Sequence, residues 1–332
     1  MRSTNAALRL IALSAVAALT AIACGSGGDT DVTVLEETTT TTVPTTTVPT
    51  TTVPTTTVPT TTVPTTTTTI MLPEPAPPVA PDGMELVWSD EFDGDAVDRN
   101  NWTYDIGGWG WGNGEAQYYT DRTENSRTQN GLLVIELRQE EYEGSFYTSA
   151  RLKSQDLQEF QYGRIEARIK VPEGRGTWPA FWMLGAGFAQ EAEDPNLRWP
   201  IVGEIDIMEY TGKEPDLILG TIHGPGYAGA GGKSTWFRQE FDVFEDWHTY
   251  AIEWDETGIR WFFDDQLYAE VGPDNIGRRE WVFDKPFFLI LNLALGGSLG
   301  GMIDPELQFP LYYYVDYVRV YQDVVDGALV EG

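Results

Sequence analysis

The sequence predicts an all-β fold, and among all-β folds a jelly-roll β-sandwich of two antiparallel sheets. Apolar and polar residues alternate along many short segments, and Gly, Pro, Asn and Asp separate these segments. No long stretch follows the 3.6-residue period of an amphipathic helix. The 332 residues also include 12 Trp, 15 Tyr and 34 Gly, a composition that favours strands and turns over helical bundles.

The clearest strand pattern lies between Gly163 and Val171, where Ile and Ala alternate with charged residues. Residues 258–263 and 267–271 flank Asp264-Asp265-Gln266 and predict a hairpin. The nearly all-apolar segment 287–295 predicts a strand that is covered on both faces. Further strands are expected at 132–138, 218–223, 249–254 and 313–321.

The formal net charge of −30 argues against nucleic acid as a partner, because an acidic surface repels phosphates but not a neutral polymer. The chain has one Cys and two His, which rules out an intrachain disulfide and nearly excludes a zinc site built from Cys and His. We expect a monomer.

Residues 1–23 have the pattern of an export signal: Arg2 and Arg9 precede an apolar run that is too short for a comfortable membrane span. Cys24 follows directly, and the preceding residues resemble the processing site of a bacterial lipoprotein. We therefore expect a lipid on Cys24 and a location at the cell surface, on the outer face of the bacterial cytoplasmic membrane. The alternative is ordinary secretion with an unmodified cysteine.

Residues 24–83 form a Thr/Pro-rich linker in which Val-Pro recurs every five residues. Such a tract cannot bury enough apolar surface to fold, and its prolines favour an extended chain. It is expected to act as a stalk that lifts a domain off the membrane, or as a neutral spacer. The folded domain is expected at 84–322, with a tail at 323–332.

The segment from Glu204 to Glu209, Glu-Ile-Asp-Ile-Met-Glu, places three acids inside an apolar strand. Charged groups in a central strand cost free energy unless they are paired or face a wet cleft. In a regular strand Glu209 would point away from Glu204 and Asp206. We predict a β-bulge near Ile207 and Met208, which returns Glu209 to the face of the other two acids.

With that bulge, the Cα atoms of Glu204 and Glu209 are about four strand steps apart, roughly 13 Å, and their side chains can lean together. Paired carboxyls serve glycoside hydrolysis: retaining enzymes hold them about 5–5.5 Å apart and inverting enzymes about 6.5–9.5 Å apart. The spacing favours the retaining class without deciding it. An acidic edge or a cation site would be the alternative for this motif alone.

Several segments together resemble glycoside hydrolase family 16, in the laminarinase-like form, over about residues 85–322. The resemblance implies a concave substrate cleft across one sheet and retaining endo-hydrolysis of β-glucan without a catalytic cofactor. It implies that Glu204 is the nucleophile, Glu209 the acid/base and Asp206 a supporting carboxylate. The matching segments are Glu204–Glu209, Trp111–Tyr119, Tyr162–Arg168, Gly176–Met183, Thr221–Gly224 and Tyr317–Tyr321.

The resemblance further implies a cleft lined by aromatic and polar side chains. The tryptophans could stack on sugar rings, and the alternative for each is burial in the core. Asn113 resembles a residue that hydrogen-bonds sugar hydroxyls, and Glu115 follows it at period two and is expected to bind substrate from the same face. Arg151 resembles a cleft arginine, and pairing with a surface acid is its alternative. His223 is expected near the site, in contact with substrate. The candidate tryptophans are Trp109, Trp111, Trp178, Trp182 and Trp199.

Members of this family also commonly hold a structural calcium ion, and the matching positions are Glu91, Gly131 and Asp316. Oxygen ligands from an acidic chain suit calcium, and backbone carbonyls would contribute. The ion would stabilise the fold and take no part in the chemistry.

Four functions remain open from the sequence. The first is an endo-β-1,3-glucanase acting on laminarin-like polymers. The second is the same machinery acting on mixed-linkage glucan or an agarose-type galactan, although the inserted Met208 disfavours the usual mixed-linkage enzymes. The third is a surface glucan-binding protein without catalysis, which the intact Glu204 and Glu209 argue against. The fourth is a structural wall protein, which leaves the acidic strand unexplained.

Overall fold

The computed structural model describes residues 77–189, 192–325 and 328–329. The expectations for the export signal 1–23, for Cys24 and for most of the linker and tail lie outside these residues. Within the described part, the single α-helix is Gly297–Gly300, and the 3₁₀ turns are Pro195–Leu197, Gly229–Gly231, Val243–Glu245 and Pro273–Ile276. None of the described helices has the length and apolar character needed to cross a bilayer.

Nineteen strands carry the fold of the described residues. In chain order they are β1 (Met84–Asp90), β2 (Thr103–Tyr104), β3 (Tyr118–Tyr119), β4 (Ser126–Thr128), β5 (Leu133–Tyr142), β6 (Ser145–Ser149), β7 (Arg151–Lys153), β8 (Glu159–Phe160), β9 (Gly163–Lys170), β10 (Thr177–Gly185), β11 (Glu204–Tyr210), β12 (Leu217–His223), β13 (Lys233–Arg238), β14 (His248–Asp255), β15 (Gly258–Phe263), β16 (Gln266–Val271), β17 (Phe287–Leu295), β18 (Leu311–Val325) and β19 (Ala328–Leu329).

The strands form two large sheets, which confirms the predicted all-β sandwich. The eleven-stranded sheet has the order β16-β15-β14-β9-β18-β5-β6-β3, with β1 and β19 also pairing with β18 and β4 with β5. The eight-stranded sheet has the order β13-β12-β11-β10-β17-β7-β2, with β8 also pairing with β17. Every pairing is antiparallel except that between β3 and β6.

Individual strand predictions are confirmed with small shifts of their ends. The alternating segment from Gly163 is β9, with its apolar residues in the core. The segment 287–295 is β17, and all nine of its residues are buried. The hairpin joins β15 and β16 through Asp264 and Asp265, whose φ angles of 47° and 60° suit a two-residue turn. The last long strand exceeds its predicted range and continues to Val325, where it pairs with β19.

The core lies between the two sheets. The eight-stranded sheet contributes apolar side chains such as Phe181, Ile205 and Leu291, and the eleven-stranded sheet contributes Ile165 and Val318. Burial of these groups removes apolar surface from water, which is the main source of stability in such a sandwich. The other face of the eight-stranded sheet is therefore free to carry polar groups.

Candidate active site

A bulge interrupts β11 between its acidic residues. On the β12 side, Asp206 pairs with Thr221 and Glu209 pairs with Leu219, so three steps along β11 match two along β12. On the β10 side, Met208 pairs with Phe181 and Asp206 with Trp182. β11 thus carries one extra residue at Ile207 and Met208, where the sequence predicts it.

The bulge brings all three acids of β11 to one face of the sheet. Their partners on β10 are Leu184 for Glu204, Trp182 for Asp206 and Ala180 for Glu209, which alternate at period two along a regular strand. These three partners line the same cavity as the three acids. Apolar neighbours of the acids on β11, such as Ile205 and Tyr210, are buried in the core instead.

A core tryptophan supports the bulge from the opposite sheet. Nε1 of Trp261, on β15, donates a hydrogen bond of 2.9 Å to the backbone carbonyl of Asp206. Gly220, on β12, leaves the space for this indole, because a Cβ at that position would lie 2.5 Å from the Trp261 ring. A carbonyl at an irregular ladder position therefore keeps a partner, which a buried polar group needs.

The acidic face opens into a cavity of about 770 Å³ that runs from β11 across β10, β17 and β7. A cleft of this size is in the range that holds small organic ligands. Among the residues predicted for the site, those lining the cavity are Trp109, Trp111, Asn113, Glu115, Arg151, Trp178, Trp182, Trp199, Glu204, Asp206 and Glu209.

The two outer acids have different neighbours. Oε1 of Glu209 accepts a hydrogen bond of 3.0 Å from Nε1 of Trp178. Nε2 of His223 lies 3.5 Å from Oε1 of Glu204 and 3.2 Å from Oδ2 of Asp206. His223 thus lies near the site, as expected, and contacts two of the carboxyl groups. Its contact with substrate stays a prediction. The other histidine, His248, is buried and lies 2.7 Å from Asp264, which fits a structural role.

Burial raises the pKa of all three carboxyl groups to about 8. Repulsion from Asp206 adds to the rise for both Glu204 and Glu209, so the cluster retains protons at neutral pH. The positive charges of His223 and Arg151 oppose the rise in the pKa of Glu204. His223 and the hydrogen bond from Trp178 oppose the rise in the pKa of Glu209, so the charge of Arg151 is what distinguishes the surroundings of Glu204.

Arg151 lies between two tryptophans at the far side of the cavity. Its guanidinium carbon is 4.9 Å from the ring centre of Trp111 and 4.6 Å from that of Trp182. Its Nε is 2.9 Å from Asp105, which also pairs with Lys153 at 2.7 Å. Cation–π contacts and a shared carboxylate thus fix the arginine as part of the cavity wall.

Buried polar groups behind the cavity hold one another in place. Glu115, which is 8% exposed, accepts hydrogen bonds from Asn113 at 3.0 Å, Gln117 at 2.7 Å and the hydroxyl of Tyr119 at 3.0 Å. Asn292 accepts a bond of 2.7 Å from Trp182. Glu115 was predicted to bind substrate, and its contacts indicate that it also orients Asn113.

The remaining tryptophans of the cavity differ in exposure. Trp109 is 57% exposed, and its ring centre lies 3.8 Å from that of Trp111. Trp199 is 43% exposed, precedes a cis-proline and lies 6.0 Å from the ring of His223. These positions match the prediction that the tryptophans face the cleft rather than the core.

Sequence reasoning missed twelve residues that line the cavity. Most come from loops or from strands distant in the chain, so no local pattern pointed to them. Lys153, Ala180 and Leu184 are exceptions, because they alternate with Arg151 or with Trp182 on their own strands. The twelve are Tyr104, Asp105, Ile106, Gly112, Lys153, Gln155, Ala180, Leu184, Phe188, Ala189, Arg198 and Asn292.

Two groups of side chains bear on metal binding. Ligand atoms of Glu204, Asp206 and His223 lie within 4.8 Å of one another, the one such cluster found among the described residues. At the predicted calcium position, both carboxylate oxygens of Glu91 bond Arg319, at 2.9 and 2.8 Å, and Asp316 accepts a bond of 2.7 Å from Arg168. Because arginines pair with both carboxylates, these two side chains do not fit as calcium ligands in this arrangement.

Two family models match the sequence. The model described as glycosyl hydrolases family 16 matches residues 113–308, which include Glu204, Asp206 and Glu209. The model described as β-glucan synthesis-associated protein SKN1/KRE6/Sbg1 matches residues 19–192 and ends before these three acids.

Relatives and solved structures agree with the first model. A β-glucanase from Rhodothermus marinus is 47% identical over 248 residues, which are 72% of this chain and 85% of that protein. The laminarinase catalytic domain from Thermotoga maritima is 45% identical, with a TM-score of 0.68, and the match covers 74% of this chain and all of that one. The laminarinase from Rhodothermus marinus is 46% identical, with a TM-score of 0.67, and the match covers 73% and 98%. The chain therefore belongs to glycosyl hydrolase family 16.

Proposed function

We propose that the chain is a retaining endo-β-1,3-glucanase of the laminarinase type. The observation that carries the proposal is the bulge in β11, which turns Glu204, Asp206 and Glu209 into one cavity lined by tryptophans. Two carboxyl groups that share a groove are the machinery of glycoside hydrolysis. The similarity to laminarinases supports β-1,3-glucan as the substrate.

In the first step, the Glu204 carboxylate attacks the anomeric carbon while the Glu209 carboxyl gives its proton to the glycosidic oxygen. The bond from that carbon to the leaving sugar breaks, and an ester bond to Glu204 forms. Both glutamates have a raised pKa, so the pair holds a proton that Glu209 can donate. The charge of Arg151 lowers the pKa of Glu204 and so favours Glu204 as the member that ionises.

In the second step, the Glu209 carboxylate takes a proton from water as the water oxygen attacks the same carbon. The ester bond breaks and Glu204 leaves as a carboxylate, so the product keeps the β configuration. The hydrogen bond from Trp178 holds one oxygen of Glu209 and leaves the other for proton transfer. This chemistry uses carboxyl groups and needs no cofactor.

Asp206 and His223 have supporting roles in this proposal. Asp206 lies between the two glutamates on the strand, and repulsion from it raises the pKa of both. His223 contacts Asp206 and Glu204, and it opposes the rise in the pKa of both glutamates. Both residues therefore tune how the protons of the cluster are shared.

The direct test is the release of reducing ends from a panel of polymers by the folded protein. Laminarin should be cut internally, with fast loss of viscosity, and lichenan and agarose should be cut more slowly or not at all. Release from lichenan or agarose alone would replace the β-1,3-glucanase assignment with the corresponding glucanase or galactanase. Binding to laminarin without any products would identify a non-catalytic glucan-binding protein.

We also propose that the protein is a surface lipoprotein anchored through Cys24. The support is the sequence alone: a segment with the pattern of an export signal, a cysteine directly after it and a Thr/Pro-rich linker. Expression in a bacterial host with radiolabelled palmitate should label the wild type and not Cys24→Ala. An unlabelled wild type in the medium would contradict the anchor.

The structural calcium ion remains a proposal that relies on backbone carbonyls, because Glu91 and Asp316 are paired with arginines. Ions bound only to the folded state raise the melting temperature. If the ion is bound, EDTA should lower the melting temperature and added calcium should restore it. An unchanged melting temperature in both conditions would remove calcium from the account.

A further inference from the structure

Trp236 is an exposed aromatic residue outside the cavity. It lies on β13, the last strand of the eight-stranded sheet, and is 72% exposed. Single apolar side chains are common on protein surfaces and need no explanation by themselves. The position of Trp236 relative to the acidic residues is what points to a function in substrate binding.

Trp236 lies in the same cross-strand row as Glu209. Glu209 pairs with Leu219 on β12, and Leu219 pairs with Trp236 on β13. Residues paired across antiparallel strands project from the same face of a sheet. Since Glu209 faces the cavity side, Trp236 projects from that side as well, about two strand spacings or roughly 10 Å away.

The neighbouring row confirms this orientation. Tyr210 pairs with Ile218, and Ile218 pairs with Phe237. Tyr210 and Ile218 are buried in the core, and Phe237 packs against it. Residues that follow one another along a strand point to opposite faces, so Trp236 points away from the core.

Among the described residues, those that line the cavity beyond β11 lie to one side of this strand. Its lining residues lie on β10, β17, β7 and β2 and the adjoining loops, while β12 and β13 lie on the other side of β11. An enzyme that cuts inside a polymer must hold sugars on both sides of the broken bond. The face of β12 and β13 is the surface available for the second side.

We infer that Trp236 is a stacking platform for a sugar residue of the glucan, on the side of the broken bond opposite the cavity. This inference rests on the proposed endo-glucanase function. Leu219 is half-buried between Glu209 and Trp236 and gives the row an apolar floor. In the next row, Ser234 is exposed and accepts a hydrogen bond of 3.1 Å from the buried hydroxyl of Thr221, so the Ser234 hydroxyl is the polar group available to a sugar ring.

The first test compares Trp236→Ala and Trp236→Phe with the wild type. Trp236→Ala should lower kcat/KM on laminarin about 3- to 10-fold, mainly through a higher KM, because stacking on an aromatic ring is worth that much binding. It should also shift the cutting position in end-labelled laminarihexaose. Trp236→Phe, which keeps an aromatic face, should recover most of both properties.

Phe146→Ala is the matched control, because Phe146 is 65% exposed and lies on β6 of the other sheet. It should leave kcat/KM and the cutting pattern as in the wild type. If Trp236→Ala also leaves both unchanged while its melting temperature matches the wild type, the platform assignment is wrong. If the wild type itself releases nothing from laminarin, the proposed function is wrong, and the assignment of Trp236 as a stacking platform is wrong as well.

A binding measurement gives a readout that does not depend on turnover. In the Glu204→Gln background, calorimetric titration with laminarihexaose should give a Kd about 3- to 10-fold weaker when Trp236→Ala is added. Phe146→Ala in the same background should not change the Kd. Equal affinities for all three proteins would overturn the inference even if the wild type is an active laminarinase.

Discussion

Trp261 and Asp206 are joined across the sandwich: the indole of the first, on the eleven-stranded sheet, bonds the backbone carbonyl of the second at 2.9 Å. The bond reaches the bulge from the core side, while the side chain of Asp206 faces the cavity. The geometry of the acidic strand thus depends on a residue that has no access to substrate.

Trp261→Phe should therefore reduce both stability and activity. Loss of a partner for a buried carbonyl costs about 1–3 kcal/mol in the free energy of unfolding, and the smaller ring leaves a cavity that adds to this cost. A displaced bulge should also lower kcat on laminarin about 10- to 100-fold, because small misplacements of catalytic groups have such effects. Denaturant unfolding and initial rates, both well below the melting temperature, measure the two losses.

Trp254→Phe is the matched control for this prediction. Its indole is also buried and donates a bond of 2.9 Å to the carbonyl of Phe283. The substitution should cost similar stability and leave kcat close to the wild-type value. Equal loss of kcat in both variants would mean that Trp261 acts through general stability and not through the bulge.

The two glutamates should respond differently to an added nucleophile. Glu204→Ala should lower kcat at least about 10³-fold, and azide should restore turnover of an activated aryl β-glycoside as the α-glycosyl azide. Glu209→Ala should lose about 10²- to 10⁴-fold on substrates with poor leaving groups. On the activated aryl β-glycoside, which forms the ester on Glu204 without acid assistance, azide should attack that ester and yield the β-glycosyl azide. NMR of the azide products distinguishes the two anomers. A β-azide from Glu204→Ala and an α-azide from Glu209→Ala would mean that Glu209 is the nucleophile and Glu204 the acid/base.

Arg151 should control the acidic limb of the pH profile. Its charge opposes the rise in the pKa of Glu204, so its removal should raise that pKa further and move the acidic limb of kcat/KM to higher pH. Arg151→Met tests this prediction in rate measurements across pH. Lys153→Met is the control, because Lys153 pairs with the same Asp105 carboxylate. If both variants shift the limb equally, the effect belongs to Asp105 rather than to Arg151.

The raised pKa of Glu209 should lower the free energy of unfolding as the pH rises toward 8. The pKa of Glu209 is raised to about 8 in the folded protein, compared with about 4.3 in an unfolded chain. The folded state then binds more protons between these values, so stability falls as pH rises from about 4 to about 8. Glu209→Gln, which cannot ionise, should melt about 2–5 °C higher than the wild type at pH 8 and at nearly the same temperature at pH 4.

Glu256→Gln, at an exposed turn position, should show no such pH-dependent gain. Thermal melts of the three proteins between pH 4 and pH 8 make the comparison. A constant difference between Glu209→Gln and the wild type across this range would contradict the raised pKa.

The sequence predicted the parts of the site that local rules govern. In a regular strand, alternation would point the Glu209 side chain into the core. Because burying its charge there would cost free energy, we predicted one extra residue at Ile207 and Met208, which turns Glu209 to the cavity face. The register of β11 against β10 and β12 has that extra residue. Alternation likewise predicted β9, and continuous apolar character predicted β17 as a strand buried on both faces.

What the sequence could not predict depends on contacts between distant segments. Asp105 pairs with Arg151 only because β2 lies beside β7, and Trp261 reaches Asp206 only because the two sheets pack face to face. The calcium expectation shows the same limit, since the arginine that binds Glu91 lies 228 residues away in the chain. The neighbouring sequence of Trp236 did not indicate a role in binding, because that role depends on the pairing of Trp236 with Leu219 and of Leu219 with Glu209.

The central claim is that the kinked strand β11 aims Glu204 at the anomeric carbon while Glu209 faces the leaving oxygen. The most direct test is to trap the intermediate with a 2-deoxy-2-fluoro β-laminaribioside that carries a dinitrophenyl leaving group. Peptide mapping by mass spectrometry should locate the sugar on Glu204 in the wild type. A stable label on any other residue, or turnover that gives the inverted α product, would contradict the claim.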